Sequence, residues 1–301
     1  EEASRHGSIP FWSWNDRLTD EGLRRQIRNM HDLGMRGFFM HARGGLETEY
    51  MSDEWFDAIN SSIDEAKKLG MEAWAYDENG WPSGFGGGEL LKDPRNFAKY
   101  LGLSESAEFP ETDENTLAVY TVTGKTLNRV TSPCGAEKYY AVTRKSDFSY
   151  VDTMDGEITE KFIACTHEVY KKKVNPEDFG STMPGFFTDE PQYFRLAPPY
   201  SKLLPEAFES EYGYSVFDAL PALFVDFDGA EQLRHDYQPL VAAVGRVVLP
   251  AAGGKRQYSI PLGEAHAVKV QPVFPFDRLE ELRKLIARRV RVDIVKLYIG
   301  D

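Results

Sequence analysis

Asp189 and Glu190 are the residues of this sequence best placed to move protons. They stand side by side after the apolar run Gly185-Phe186-Phe187 and directly before Pro191. Read as a buried strand, the run delivers both carboxyl groups to its C-terminal end. Pro191, which lacks an N–H, stops the ladder there. A carboxyl group in such a place can give a proton or take one. The same residues would also make an ordinary acidic strand end or helix cap. Three earlier stretches show a related pattern. Residues 9–15 close with Trp14-Asn15, residues 37–43 with His41 and Arg43, and residues 72–78 with Asp77-Glu78. One polar strand end means little, but four in one chain argue for a shared pocket.

The segments between these ends read as the elements that would position them. Thr19 or Asp20 can cap a helix in which Leu23, Ile27, Met30 and Leu33 recur at helical spacing, closed by Gly34. Ser52 can cap a second helix carrying Trp55, Phe56, Ile59, Ile63 and Ala66, closed by Gly70. Strand–helix units of about thirty residues imply parallel strands joined by crossover helices. The expected fold class is therefore α/β, a TIM-type (β/α) barrel whose strand ends open on one face. Residues 1–100 supply its first three units. Residues 101–155 read as a small β-rich insertion after the third strand, because 117–122 and 139–143 are short β-type runs separated by turn residues. Residues 156–238 hold a helix over 157–173, the fourth strand and further helices. In that helix Cys165 lies on the apolar face with Ile158, Phe162 and Val169, as a core residue rather than a nucleophile.

Residues 79–88, Asn-Gly-Trp-Pro-Ser-Gly-Phe-Gly-Gly-Gly, form a glycine-rich loop. It has neither the lysine–serine pair of a phosphate loop nor a dinucleotide fingerprint. Two readings remain. Trp81 and Phe85 present a stacking platform for a sugar ring beside the acids, or the loop is packed by its own aromatics.

Composition narrows the partners. The chain has 301 residues, 42% hydrophobic and 13% aromatic, which is enough for a packed core. A net charge of −13 argues against nucleic acid as a partner. No run reaches the ~18–20 apolar residues of a membrane span. Cys134 and Cys165 make neither a metal pattern nor a disulfide framework. The first residues lack the apolar core of a signal peptide, so the default location is cytoplasmic, or secreted where a leader has been removed.

Four motifs carry a family resemblance. They are Pro10-Phe11-Trp12-Ser13-Trp14-Asn15, Met40-His41-Ala42-Arg43-Gly44-Gly45-Leu46, Tyr76-Asp77-Glu78-Asn79-Gly80-Trp81-Pro82-Ser83-Gly84 and Phe187-Thr188-Asp189-Glu190-Pro191. In this order they resemble the catalytic barrel of bacterial glycoside hydrolases similar to family 106, the α-L-rhamnosidases, over about residues 9–237. The resemblance implies two carboxyl groups flanking a glycosidic bond. It places one of them at the end of the fourth strand, at Glu190 with Asp189 beside it. Trp12, Trp14, Asn15, His41, Arg43, Asp77, Glu78 and Trp81 would then bind a carbohydrate substrate. The family is also associated with Ca2+. Adjacent acids permit such a cation without requiring it, and no ligand set can be assigned.

The tail departs from this pattern. Residues 239–301 carry 11 Lys+Arg and 6 Asp+Glu, net +5, which leaves −18 on residues 1–238. The tail has room for roughly two further units of about thirty residues. It offers a strand over 246–249, a helix over 278–289 and a strand over 291–298. The barrel is therefore expected to be partial or to have a divergent C-terminal part. The second carboxylate is not recognisable: Glu264 reads as a loop acid, and Asp77 or Glu78 would serve only with unusual geometry. The competing reading is an inactive carbohydrate-binding fragment without that group. A third is a homo-oligomer whose second copy completes the sheet.

Overall fold

The computed structural model describes residues 7–244, 249–250, 257–258 and 273–275. Four strands form a parallel sheet in the order β1 (Phe11–Trp14), β2 (Gly37–Ala42), β3 (Glu72–Asn79) and β8 (Gly185–Phe187). Crossovers α1 (Asp20–Asp32) and α2 (Asp53–Leu69) connect the first three. Thr19 caps α1 by accepting the Gly22 amide, and Ser52 caps α2 by accepting that of Trp55. Gly70 closes α2 at φ +67°, a left-handed turn suited to glycine. Leu33 corrects the periodic reading: it lies beyond the last turn of α1 and is exposed.

Strand alternation divides the side chains between two faces. Trp12, Trp14, Phe38, Met40, Ala73, Ala75 and Phe186 point toward the helices and pack with Leu23, Ile27, Trp55, Ile59, Ile63 and Tyr170. The Trp55 indole packs edge-on against Trp14 at 5.1 Å and donates to the Tyr170 hydroxyl at 3.1 Å. Phe39, Tyr76 and Phe187 occupy the opposite face with Ile9 and Trp74, and Phe11 packs on their rings.

Between β3 and β8 the chain builds a second sheet. Strands β4 (Phe97–Ser106), β5 (Thr116–Thr123), β6 (Thr126–Val130) and β7 (Tyr139–Val151) are antiparallel, in the order β6-β5-β7-β4. The helix expected over 157–173 is broken. Thr166, at φ −116° and ψ −80°, separates α3 (Gly156–Cys165) from α4 (His167–Lys173). After β8 the chain returns to the second sheet. There β9 (Pro199–Tyr200) pairs antiparallel with β4. Then α5 (Leu204–Tyr212) and α6 (Ala230–Val244) pack Phe208, Leu233, Tyr237 and Val241 onto Leu101, Tyr120, Tyr140 and Val142.

The result is a mixed α/β protein with one parallel and one antiparallel sheet. Among the described residues the parallel strands do not close into a barrel. β12 (Val273–Pro275) pairs antiparallel with β8, where a continuing (β/α) unit would be parallel. Its Pro275 sits in an edge strand, where a missing N–H is tolerated. β10 (Leu249–Pro250) and β11 (Gln257–Tyr258) form a separate antiparallel pair. Glu264, the helix over 278–289 and the strand over 291–298 lie outside the described residues, and of the strand over 246–249 only Leu249 is described. Among the described residues no helix is long and apolar enough to cross a membrane.

Candidate active site

The C-terminal ends of β3 and β8 meet, with Tyr76 in register with Phe187. Three polar groups beyond that pairing are buried: Asp77 and Glu78 after Tyr76, and Asp189 after Thr188. Each is held by donors from a different part of the chain.

Glu78 is fully buried and faces its own loop. Its carboxylate accepts the amides of Asn79 (2.9 Å), Gly84 (3.2 Å), Phe85 (3.0 Å), Gly86 (2.8 Å) and Gly87. Gly86 and Gly87 take φ values of +60° and +64° to turn their amides inward. A Cβ on Gly86 would sit 2.7 Å from the Cys165 sulfur, and one on Gly87 2.6 Å from the Tyr50 ring. Burial pushes Glu78 up to about 7 against the pull of these amides. Glu78 was expected to bind substrate; its oxygens are instead occupied in winding the glycine-rich loop.

Asp77 is also fully buried. One carboxylate oxygen accepts the Ser83 hydroxyl at 2.6 Å. The other accepts the Thr188 hydroxyl at 2.5 Å and lies 3.2 Å from His167 Nε2 on α4. Asp77 therefore joins β3, the glycine-rich loop, the end of β8 and α4, and it too does not face an open pocket.

Asp189 sits on the opposite side of the sheet from the helices. Its Oδ2 accepts the Tyr76 hydroxyl at 2.8 Å and its Oδ1 the Glu190 amide at 2.9 Å. Burial and the Asp189 charge raise the Tyr76 pKa, so its phenol remains a donor. The His41 ring lies 3.7 Å from the Tyr76 ring. Burial, with help from Arg43, pushes His41 down to about 4, so it is neutral near pH 7, and its buried Nε2 makes no hydrogen bond among the described residues. Glu190 is half-buried at the mouth. Asn15 and Arg43 are exposed at the ends of β1 and β2, and Trp81 is 47% exposed on the loop.

Trp12 and Trp14 correct the expected set. They lie on the helix-covered face, where Trp12 donates to Gln26 of α1 at 3.0 Å and Trp14 packs on Trp55. The face toward Tyr76 and His41 is taken by Phe11, one position earlier. Phe85 likewise packs inward with Leu90 and Phe162.

The residues not anticipated are Tyr76, Ser83, Tyr150, His167 and Thr188. Tyr76 and Thr188 adjoin the quoted acids and Ser83 lies in the quoted glycine-rich loop, so a local signal existed. Tyr150 and His167 come from distant elements and had none.

No set of three or more His, Cys, Asp or Glu side chains among the described residues could hold a metal ion. The oxygens of Asp77 and Glu78 are already filled by donors from the chain. The described residues therefore do not fit a calcium cage.

No model of a known protein family matches the chain, and no curated protein matches it. Among solved structures it is similar to a rhamnosidase from Novosphingobium sp. PP1Y, with a TM-score of 0.54 and 13% sequence identity. The similarity covers 80% of this chain and 44% of that one. The fold is glycosidase-like. At this identity the likeness speaks for the fold alone, and the chain spans less than half the length of that neighbour.

Proposed function

We propose that the chain bears the acid–base site of a glycoside hydrolase acting on α-L-rhamnosides or related deoxy or plant-derived sugars. The observation that carries this is the Asp189–Glu190 pair at the end of β8, with the Asp189 carboxylate held by the Tyr76 hydroxyl and Glu190 half-buried beside it. Glu190 is the acid/base group. It gives its proton to the glycosidic oxygen as the C–O bond breaks, and water bonds to the anomeric carbon, directly with inversion or after a carboxylate with retention. Asp189 holds the Glu190 amide and is the nearest candidate for the second carboxyl group. A separation of about 5–5.5 Å between the two working carboxyl groups corresponds to retention, and about 6.5–9.5 Å to inversion. Trp81 stacks on the sugar, while Arg43 and Asn15 hydrogen-bond its hydroxyls.

The test is hydrolysis of a panel of aryl glycosides by the wild type and by Glu190→Gln. The expected result is a loss of roughly a hundredfold or more in kcat/KM, the scale of a removed acid–base group. Equal rates in the two proteins would remove Glu190 from the reaction.

One observation favours a second reading, a carbohydrate-binding protein without hydrolysis. Asp77 and Glu78, the other acids beside the pair, are both occupied structurally. Sugar binding by calorimetry with no turnover of any aryl glycoside would select it.

A further inference from the structure

β8 ends at Phe187, so the backbone amides that follow have no ladder partner, yet those of Asp189 and Gln192 are buried or half-buried. Buried amides need acceptors. The Asp189 amide donates to Ser83 Oγ at 2.8 Å, and the Glu190 amide to Asp189 Oδ1 at 2.9 Å. Pro191 has no N–H, and the Gln192 amide reaches the Tyr150 hydroxyl at 3.4 Å. Two of the three acceptors thus lie outside the segment, on residues that are themselves linked: the Tyr150 hydroxyl donates to the Ser83 main-chain carbonyl at 2.6 Å.

We propose that Ser83 is a positioning residue for the Asp189–Glu190 pair, holding the Asp189 amide so that both carboxyl groups stand at the mouth in one register. Its catalytic consequence rests on the glycosidase reading; the hold itself does not. The polarity of the hydroxyl is determined by its neighbours. An amide can only donate, so Ser83 Oγ accepts from Asp189, and its single proton goes to Asp77 Oδ1 at 2.6 Å. Ser83 is 1% exposed, so water does not substitute for either bond. Asp77 is itself held by Thr188 and His167, and the Ser83 backbone by Tyr150 of β7. The loop between β3 and the second sheet thereby determines where the end of β8 stands.

The experiment compares Ser83→Ala with Thr188→Ala. Thr188 bonds the same Asp77 carboxylate but does not hold the Asp189 amide. Hydrogen exchange at Asp189, read by NMR on the folded full chain, is expected to quicken at least about tenfold in Ser83→Ala and to change by less than about threefold in Thr188→Ala. For the reaction, kcat on an aryl glycoside is expected to fall about tenfold or more in Ser83→Ala with KM within about twofold. Unchanged exchange at Asp189, or equal acceleration in both variants, overturns the proposal. If Ser83→Ala does not fold, Ser83→Cys is read in its place, with an intermediate acceleration expected and none overturning it. A wild type that turns over no aryl glycoside defeats the glycosidase reading and leaves the exchange comparison to decide Ser83.

Discussion

At the scale of single residues, the buried polar groups divide by what their partners permit. Glu78 accepts five amides, so Glu78→Ala leaves the buried Gly84 amide and four partly buried ones without that acceptor. The expected loss is about 3 kcal/mol or more of stability, measured by urea unfolding, with faster amide exchange across 84–87. His41 gives a pH effect whose sign is set. Its folded pKa lies near 4, below the ordinary 6.5, so the unfolded chain binds the proton more readily. The stability from neutral His41 is complete above pH ~6.5 and is lost as the pH falls toward 4, by about 2 kcal/mol after allowance for partial solvation. His41→Phe keeps the ring beside Tyr76 and should flatten this limb. The check is the wild-type minus variant difference in unfolding free energy between pH 7 and 4. A difference independent of pH would show that His41 is not the group responsible. These roles were only partly legible. The acids announce themselves in the sequence, but whether a carboxylate meets a ligand or an amide depends on how Gly84–Gly88 turn, and several φ choices open to glycine lead to either outcome.

At the scale of elements, the alternation of β1 was readable and its orientation was not. Trp12 and Trp14 must share a face because strands repeat every two residues. Which face receives helices is decided by the hand of the crossovers and by what α1 and α2 present. Trp14→Phe should therefore lower stability by about 1–3 kcal/mol and leave sugar affinity or turnover within about twofold, since the indole packs on Trp55. A large loss of affinity at unchanged stability would return Trp14 to the pocket. The break at Thr166 belongs to the same scale. An apolar repeat over 157–173 suits one helix, yet two short ones let His167 and Tyr170 reach Asp77 and Trp55.

At the scale of the molecule, two cores are joined at the site. The parallel layer packs around Trp14 and Trp55, and the antiparallel sheet packs against α5 and α6 around Phe208. Ser83, Tyr150 and the 189–192 segment lie where they meet. All 5 tryptophans precede residue 82 and lie in β1, α2, β3 or the loop after β3. No tryptophan lies in the second core, so tryptophan fluorescence reports the parallel layer and its loop, while Tyr120, Tyr140 and Tyr237 belong to the second core. Phe208→Ala should cost about 3–5 kcal/mol in the second core. Its tyrosine near-ultraviolet signal is expected to melt at lower urea than its tryptophan fluorescence. Coincident transitions would show that the two cores unfold as one.

The sequence by itself determined the four parallel strands, the caps of α1 and α2 and the acidic strand ends, because those depend on short-range rules: alternation, helical spacing, capping hydroxyls and glycine turns. It also placed Asp189 and Glu190 at the end of a buried strand before a proline. Only the tertiary structure decided that Asp77 and Glu78 serve the framework, that Trp12 and Trp14 face the helices, and that Tyr76, Ser83 and Tyr150 hold the β8 end. Those outcomes rest on contacts between residues up to 113 positions apart, as from Tyr76 to Asp189. The free energy of such contacts depends on burial and geometry that no local pattern contains.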